Sequence, residues 1–276
     1  MKRPQDTISV LLPVYVKDSP VYFRLAIESI LQQTYDLVHI YVGVDGPVEA
    51  SLNEVLCQYE SGPKISIIRF EKNRGLAKVL NDLLAECIAE GAEYIARMDA
   101  DDISLPDRFE KQLAFLREHP EIDVVGGAIE EIDENGNSRN KIIEYPLTPE
   151  TCREFFQKRN PMAHPTVMFR RRFFDKIGRF YETNVMFNED VWLWHDGLKH
   201  NAQLANLLDV VLLFRVTGSL YQRRGGYQLA RKKLVDRLKI NKSLGYGFMA
   251  NMAAYAMFMI AIVPAWVRKI AYRVLR

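Results

Sequence analysis

The chain has 276 residues, 48% of them hydrophobic, and a formal net charge of +2. That length suits one large α/β domain or one domain with an appendage, and so small a net charge argues against a chain that binds polyanions over its whole surface. The three cysteines, Cys57, Cys87 and Cys152, are scattered with no Cys-x-x-Cys pair, so neither a zinc site nor a disulfide framework is suggested and a reducing compartment fits.

The run from Ile8 to Val16 contains Pro13 and lacks a small-residue cleavage site. It reads as a first strand over Ile8–Val14 and not as a signal peptide. Ser19-Pro20 joins an N-cap to a proline at the first helical position. Phe23, Ala26, Ile27, Ile30 and Leu31 then recur at helical spacing. Val38–Val44 is the second predicted strand, ending in Asp45-Gly46-Pro47. Ser51–Tyr59 is a helix and Ile65–Phe70 a third strand. Leu76, Val79, Leu80, Leu83, Leu84, Cys87 and Ile88 mark an amphipathic helix closed by Gly91, with Cys87 on its apolar face. Tyr94–Met98 is the fourth strand. This alternation predicts a parallel sheet covered on both faces. Tyr15, Asp45, Arg74, Asp99 and Asp101 at its strand ends would line one edge, where open α/β sheets bind ligands.

Asp99, Asp101 and Asp102 follow the fourth strand directly. Acids this close repel one another, and a divalent cation offsets that repulsion. Mg²⁺ and Mn²⁺ prefer carboxylate oxygens, and Mg²⁺ commonly takes one or two of them plus substrate phosphates. The stretch therefore reads as a metal–diphosphate site; the alternative is an acidic turn before the helix that starts near Pro106. Beyond it the pattern becomes mixed. Asp107–Glu118 is a helix stopped by Pro120, and Val124–Glu130 is a strand. Asn135-Gly136 is a hairpin signal between Ile132 and Ile142. Thr148-Pro149 starts a helix through Phe156; Pro165–Phe169 is a strand, Glu189–Lys199 a helix and Val210–Val216 a strand.

From Arg215 onward Lys and Arg abound and Asp236 is the one acid. Gly226–Lys242 is a basic helical stretch. No charged residue occurs from Ser243 to Val267, and Phe248–Val267 has the length of a bilayer span. Asn251 and Pro264 interrupt it, and Arg268, Lys269, Arg273 and Arg276 follow. With a cytosolic first half, a spanning helix would export that basic tail against the positive-inside tendency. An in-plane segment keeps both basic flanks on the cytosolic face. In-plane, spanning, and packed on the protein or on a second subunit all remain open.

These residues resemble the family 2 inverting glycosyltransferases of the GT-A fold, over Ile8 to about Gly225. The match runs through Ile8-Ser9-Val10-Leu11-Leu12-Pro13-Val14-Tyr15, Glu28-Ser29-Ile30-Leu31-Gln32-Gln33-Thr34-Tyr35, Val44-Asp45-Gly46 and Asn73-Arg74-Gly75-Leu76-Ala77. It continues through Met98-Asp99-Ala100-Asp101-Asp102, Leu105-Pro106-Asp107-Arg108, His164-Pro165-Thr166-Val167-Met168-Phe169-Arg170 and Asn188-Glu189-Asp190-Val191-Trp192-Leu193-Trp194. The Gln-x-x-Arg-Trp motif of processive synthases is absent, Tyr221-Gln222-Arg223-Arg224-Gly225 being only superficially similar. The resemblance is to bacterial enzymes of surface-polysaccharide assembly that add a single sugar.

What the resemblance implies is an α/β GT-A fold with a mixed central sheet. Residues 1–105 form its nucleotide-sugar half and 106–225 its acceptor half, with 226–276 a membrane-association or dimerisation segment. Asp101, with Asp99, would hold Mn²⁺ or Mg²⁺ on a UDP-sugar diphosphate; Asp99 is alternatively a substrate ligand, and Asp102 caps or braces the loop. Asp190 is the candidate general base. It and Glu189 point about 100° apart on a helix, so one of them reaches the sugar. Asp45 would accept a hydrogen bond from a uracil-type base, or is a turn residue before Gly46. Arg74 would meet base or diphosphate, or is a solvated loop cation. Pro13 and Tyr15 would shape the nucleotide loop. His164 would line the acceptor or diphosphate side, or is structural; Trp192 is a candidate acceptor platform and Trp194 a core residue. Arg215, Arg223 and Arg224 are candidates for clamping a lipid diphosphate. The implied acceptor is a lipid-diphosphate saccharide at the cytosolic face of a bacterial inner membrane, with a homodimer through the C-terminal helix as an option and no nucleic-acid partner. The competing readings are a catalytically inactive membrane-bound scaffold and a sugar-nucleotide pyrophosphorylase. The latter needs a glycine-rich basic loop, which Pro13-Val14-Tyr15-Val16-Lys17 does not offer.

Overall fold

The computed structural model describes residues 6–178, 180–185, 188–217 and 227–262. Strands β1 (Ile8–Tyr15), β2 (Val38–Asp45), β3 (Ile65–Arg69) and β4 (Tyr94–Arg97) run parallel in the order β3-β2-β1-β4. Helices α1 (Pro20–Leu31), α2 (Ala50–Tyr59) and α3 (Leu76–Ala89) connect them. Ser19 caps α1 by accepting the Tyr22 N–H, as its sequence position predicts. Successive side chains of a strand address opposite faces. In β1, Ile8, Val10, Leu12 and Val14 pack with Phe23, Ala26, Ile27 and Ile30 of α1. Leu11 joins Val79, Leu80, Leu83 and Cys87 of α3 in a separate core. The parallel part of the sheet is thus buried on both sides.

The chain winds outward from β1 to β3, then returns to place β4 on the other side of β1. The strand order reverses there, and the crevice outside the carboxyl ends of such strands is where open α/β sheets hold ligands.

Beyond β4 the sheet is mixed, in the order β8-β6-β9-β5. These are β5 (Ile103–Ser104), β6 (Val124–Ile132), β8 (Met168–Arg170) and β9 (Leu204–Arg215). Strand β7 (Ser138–Ile143) pairs with β6 through the Asn135-Gly136 turn, where Gly136 has φ +88°. Helices α4 (Arg108–Glu118), α5 (Pro149–Phe156), α6 (Arg171–Ile177) and α7 (Glu189–Lys199) cover this half. Two strands differ from their predicted extents by more than two residues at one end. The Pro165–Phe169 segment is a 3₁₀ turn over His164–Thr166 before β8, since Pro165 has no N–H for a ladder. Strand β9 begins at Leu204, well before Val210, because exposed Leu208 and Asp209 at a register shift break its apolar pattern.

Two more helices follow, α8 (Tyr227–Ser243) and α9 (Phe248–Ile262). Helix α8 lies on α7 and α5. Asn188 Nδ2 donates to Asp236 Oδ2 at 2.9 Å, Ser243 Oγ meets His195 Nε2 at 2.8 Å, and Arg237 donates to the Phe156 carbonyl at 2.8 Å. Helix α9 folds back along α8, with Gly245 at φ +69° between them and Asn241 Nδ2 donating to Asn251 Oδ1 at 3.0 Å. Among the described residues no helix is long and apolar enough to cross a membrane. The Tyr221–Gly225 segment with Arg223 and Arg224, Pro264, and the tail with Arg268, Lys269, Arg273 and Arg276 lie outside the described residues.

Candidate active site

The ends of β1 and β2 are in register, Tyr15 opposite Asp45, and buried Pro13 opposite Gly43. The Tyr15 N–H donates to Asp18 Oδ2 at 2.9 Å, which fixes the turn after β1. Asp45 is buried, and its two carboxylate oxygens accept the N–H groups of Arg74 at 2.7 Å and Gly75 at 2.9 Å. Helix α3 starts after Gly75, which has no side chain to cap it; the end of β2 supplies the acceptor instead. Each oxygen keeps a second lone pair for a ligand. The Arg74 guanidinium pairs with Asp82 and lies 3.9 Å over the Phe70 ring, so it is not a solvated loop tip.

After β4 the chain turns through Asp99, Asp101 and Asp102, and one oxygen of each lies within 4.8 Å of the others. Asp102 is fully buried; its Oδ1 accepts the Arg215 N–H at 2.9 Å, while its Oδ2 has no hydrogen-bond partner. Burial, and then the charges of Asp101 and Asp99, push the Asp102 carboxyl well above the usual carboxylate range. Three convergent oxygen donors and an unpartnered buried oxygen suit a hard divalent cation. Asp102 thus braces the loop with one oxygen and presents the other. Arg215 is 2% exposed and donates to the carbonyls of Asp101, Asp133 and Glu134. That burial corrects its expected role: it holds the acidic loop in place and is not available to clamp a lipid.

Glu189 and Asp190 open α7, where the helix dipole favours carboxylates. Asp190 Oδ2 accepts Asn160 Nδ2 at 2.6 Å, and Oδ1 accepts the Val191 N–H at 2.8 Å. Burial raises the Asp190 carboxyl, against the Val191 N–H and the charges of Lys233 and Arg97. Burial, then Asp190, push Glu189 up to about 7. Trp192 is half-buried, with its ring 5.2 Å from that of His195 in an edge contact. Trp194 is fully buried, as expected of core. His164 is buried, its Nε2 meets the Tyr181 hydroxyl at 2.9 Å and its ring stands edge-on to Trp194. Burial and then Arg97 hold it well below the usual histidine value, so its ring is neutral.

Arg97 joins the two acidic groups. It is 3% exposed and pairs with Asp99, while its Nε and Nη1 have no hydrogen-bond partner. Its charge acts on Asp102, Glu189 and Asp190, and the charge of Asp99 reaches Glu189. The charge of Arg97 thus acts both on the acids after β4 and on those opening α7. Sequence reasoning passed over Arg97 as a strand residue, and it passed over Asn160, Tyr181 and Lys233 because nothing local marks them.

The profile of Glycosyl transferase family 2 matches residues 9–178. The amylovoran biosynthesis glycosyltransferase AmsE of Erwinia amylovora is 35% identical over 233 residues, 84% of this chain and 85% of that one. A UDP-Gal:alpha-D-GlcNAc-diphosphoundecaprenol beta-1,3-galactosyltransferase of Escherichia coli is 28% identical over 263 residues, 95% of this chain and 91% of that one. The structure of S. aureus TarS in complex with UDP-GlcNAc superposes with a TM-score of 0.62 at 16% identity, over 95% of this chain and 82% of that one. That likeness concerns the fold, the GT-A arrangement of a mixed sheet. By profile and by sequence, the chain belongs to glycosyl transferase family 2.

Proposed function

We propose that the protein is a metal-dependent inverting glycosyltransferase of bacterial surface-polysaccharide assembly. It moves one sugar from a UDP-sugar to a saccharide carried on a lipid diphosphate, at the cytosolic face of the inner membrane. The observation that carries this reading is the cluster of Asp99, Asp101 and Asp102 after β4, with Arg97 paired to Asp99 and acting electrostatically on Glu189 and Asp190. A relative that acts on a diphosphoundecaprenol-linked sugar and a fold neighbour that binds UDP-GlcNAc support the choice of acceptor and donor.

Asp45 accepts a hydrogen bond from the uracil imide, while Pro13 and Tyr15 shape the floor of the base site. Arg74 fixes the facing loop through its backbone. Asp101 and Asp99 hold Mn²⁺ or Mg²⁺, which supplies positive charge against the leaving diphosphate. Asp190 takes the proton of the acceptor hydroxyl as that oxygen attacks the anomeric carbon from the face opposite the diphosphate. One C–O bond forms, the other breaks, UDP leaves with the electron pair, and no covalent nucleophile is needed. Asn160 orients the base, and Trp192 lies one residue beyond Val191 on the acceptor side.

The test is transfer from a panel of nucleotide sugars to a synthetic lipid-diphosphate monosaccharide. UDP-sugars are expected to serve, and Asp190→Asn to lose about a thousandfold in turnover. Near-normal turnover by Asp190→Asn removes it from that role. Glu189 is the second reading, since it opens α7 directly beside Asp190; loss confined to Glu189→Gln would transfer the role to it.

A further inference from the structure

Helix α9 carries no charged residue, and its exposed side chains make a stripe. Phe248, Met252, Tyr255, Met259 and Ile262 follow at alternating steps of four and three residues, the spacing of one helix face. Met249 extends it, and Phe248 and Met249 are each 74% exposed. Ala250 and Ala254 are its buried residues. The neighbouring helix α8 exposes Arg231, Lys239 and Lys242. Its one acid, Asp236, is buried on Asn188. An apolar stripe therefore lies beside a cationic helix in one antiparallel hairpin. Apolar burial combined with attraction to anionic head groups is what holds such elements in a membrane interface. A second copy of this chain would bring its own cations to the same rim, where like charges repel.

We propose that the α8–α9 hairpin docks in plane on an anionic phospholipid bilayer. The α9 stripe enters the boundary between head groups and acyl chains, and the cations of α8 meet the lipid phosphates. The hairpin is also fastened to the acceptor side. Asp236 holds Asn188, the residue before Glu189, and Ser243 holds His195. Lys233 and Arg237 act electrostatically with Asp190. The lipid-facing element thus sets where the α7 carboxylates stand relative to the bilayer. Docking rests on the hairpin alone; its use in meeting a lipid-linked acceptor rests on the glycosyltransferase reading.

The full chain is mixed with vesicles of phosphatidylglycerol and phosphatidylethanolamine, or of phosphatidylcholine alone, and floated on a density gradient. Wild type is expected to float with the anionic vesicles, less at high salt, and weakly with phosphatidylcholine. The pair Met252→Glu with Met259→Glu is expected to bind at least about tenfold more weakly. Lys239→Glu with Lys242→Glu should weaken binding to anionic vesicles alone. Both variants are expected to keep the wild-type melting shift with UDP and Mn²⁺, which reports an intact fold and donor site. If wild type itself shows no such shift, the donor assignment fails while docking is judged by flotation. Failure of wild type to float, or unchanged flotation of the Met→Glu pair, overturns the proposal. A dimer that the Met→Glu pair splits without changing flotation assigns the stripe to a second copy instead.

Discussion

Arg97 is a buried cation whose side chain has Asp99 as its ion-pair partner. Burial alone would lower its pKa, yet Asp99, by its charge and its hydrogen bond, raises it. Removing one member of such a network leaves the others uncompensated, typically at about 3–5 kcal/mol. Arg97→Met is therefore expected to melt well below wild type and to lose at least about a hundredfold in turnover. Arg97→Lys keeps one charged donor for Asp99 and should recover part of both, read from melts and initial rates; no recovery by lysine would show that the planar guanidinium itself is required. Glu189 makes a pH prediction. Its carboxyl titrates near 7 in the fold against an ordinary value of 4.5. Between those values the folded state holds the proton and the unfolded chain does not, so stability falls as pH rises through that window. Glu189→Gln removes the loss. Its melting advantage over wild type should be small below pH 4.5 and full above pH 7, on the order of 2 kcal/mol after discounting for solvent. An advantage equal at both ends contradicts the burial of this carboxyl. The contiguous acids were legible in the sequence because mutual repulsion marks them. Arg97 was not, because an arginine ending a strand declares its burial only once β4 pairs with β8.

At the scale of elements, the end of β2 and the start of α3 form one unit through Asp45. Asp45→Ala removes the acceptors for two N–H groups at a helix start, a loss of about 1 kcal/mol, and is expected to weaken UDP binding in a calorimetric titration. Asp45→Asn keeps one carbonyl oxygen as acceptor but turns its NH2 toward the other N–H, so it should recover only part of the stability and less of the affinity. Recovery of both would leave Asp45 a cap alone. Helices α1 and α3 were legible because their buried faces, Phe23 to Ile30 and Val79 to Cys87, follow the helical period. Strand β5 and helix α6 were not, being two and seven residues long, too short for a period to emerge. Helix α8 read as a separate basic segment. It is attached by Asp236 to Asn188, Ser243 to His195, Arg237 to the Phe156 carbonyl and buried Ile240, and residues so far apart in the chain leave no local pattern.

For the whole molecule, the βα alternation foretold parallel strands but not the return of the chain to the far side of β1, nor the insertion of β8 antiparallel between β4 and β6. That topology makes the site. It sets the residues of the proposed donor site on β1, β2 and the loop after β4, while Trp194 of α7 stacks on Phe169 of β8. Ligands bound across such an edge should stabilise the entire sheet. With UDP and Mn²⁺ at about 100-fold above the dissociation constant, linkage gives about 2.7 kcal/mol, a rise of roughly 5–10 °C for a chain of this size. The two ligands together should exceed the sum of each alone, because in the proposed site the diphosphate and the Asp99–Asp101 carboxylates would share the cation. Asp101→Ala is expected to keep only the shift seen with UDP alone. Asp190→Asn should keep the full shift while losing transfer. Equal melting of Asp101→Ala and wild type with both ligands removes the cation from this loop, and loss of the shift in Asp190→Asn would move the nucleotide to the α7 side.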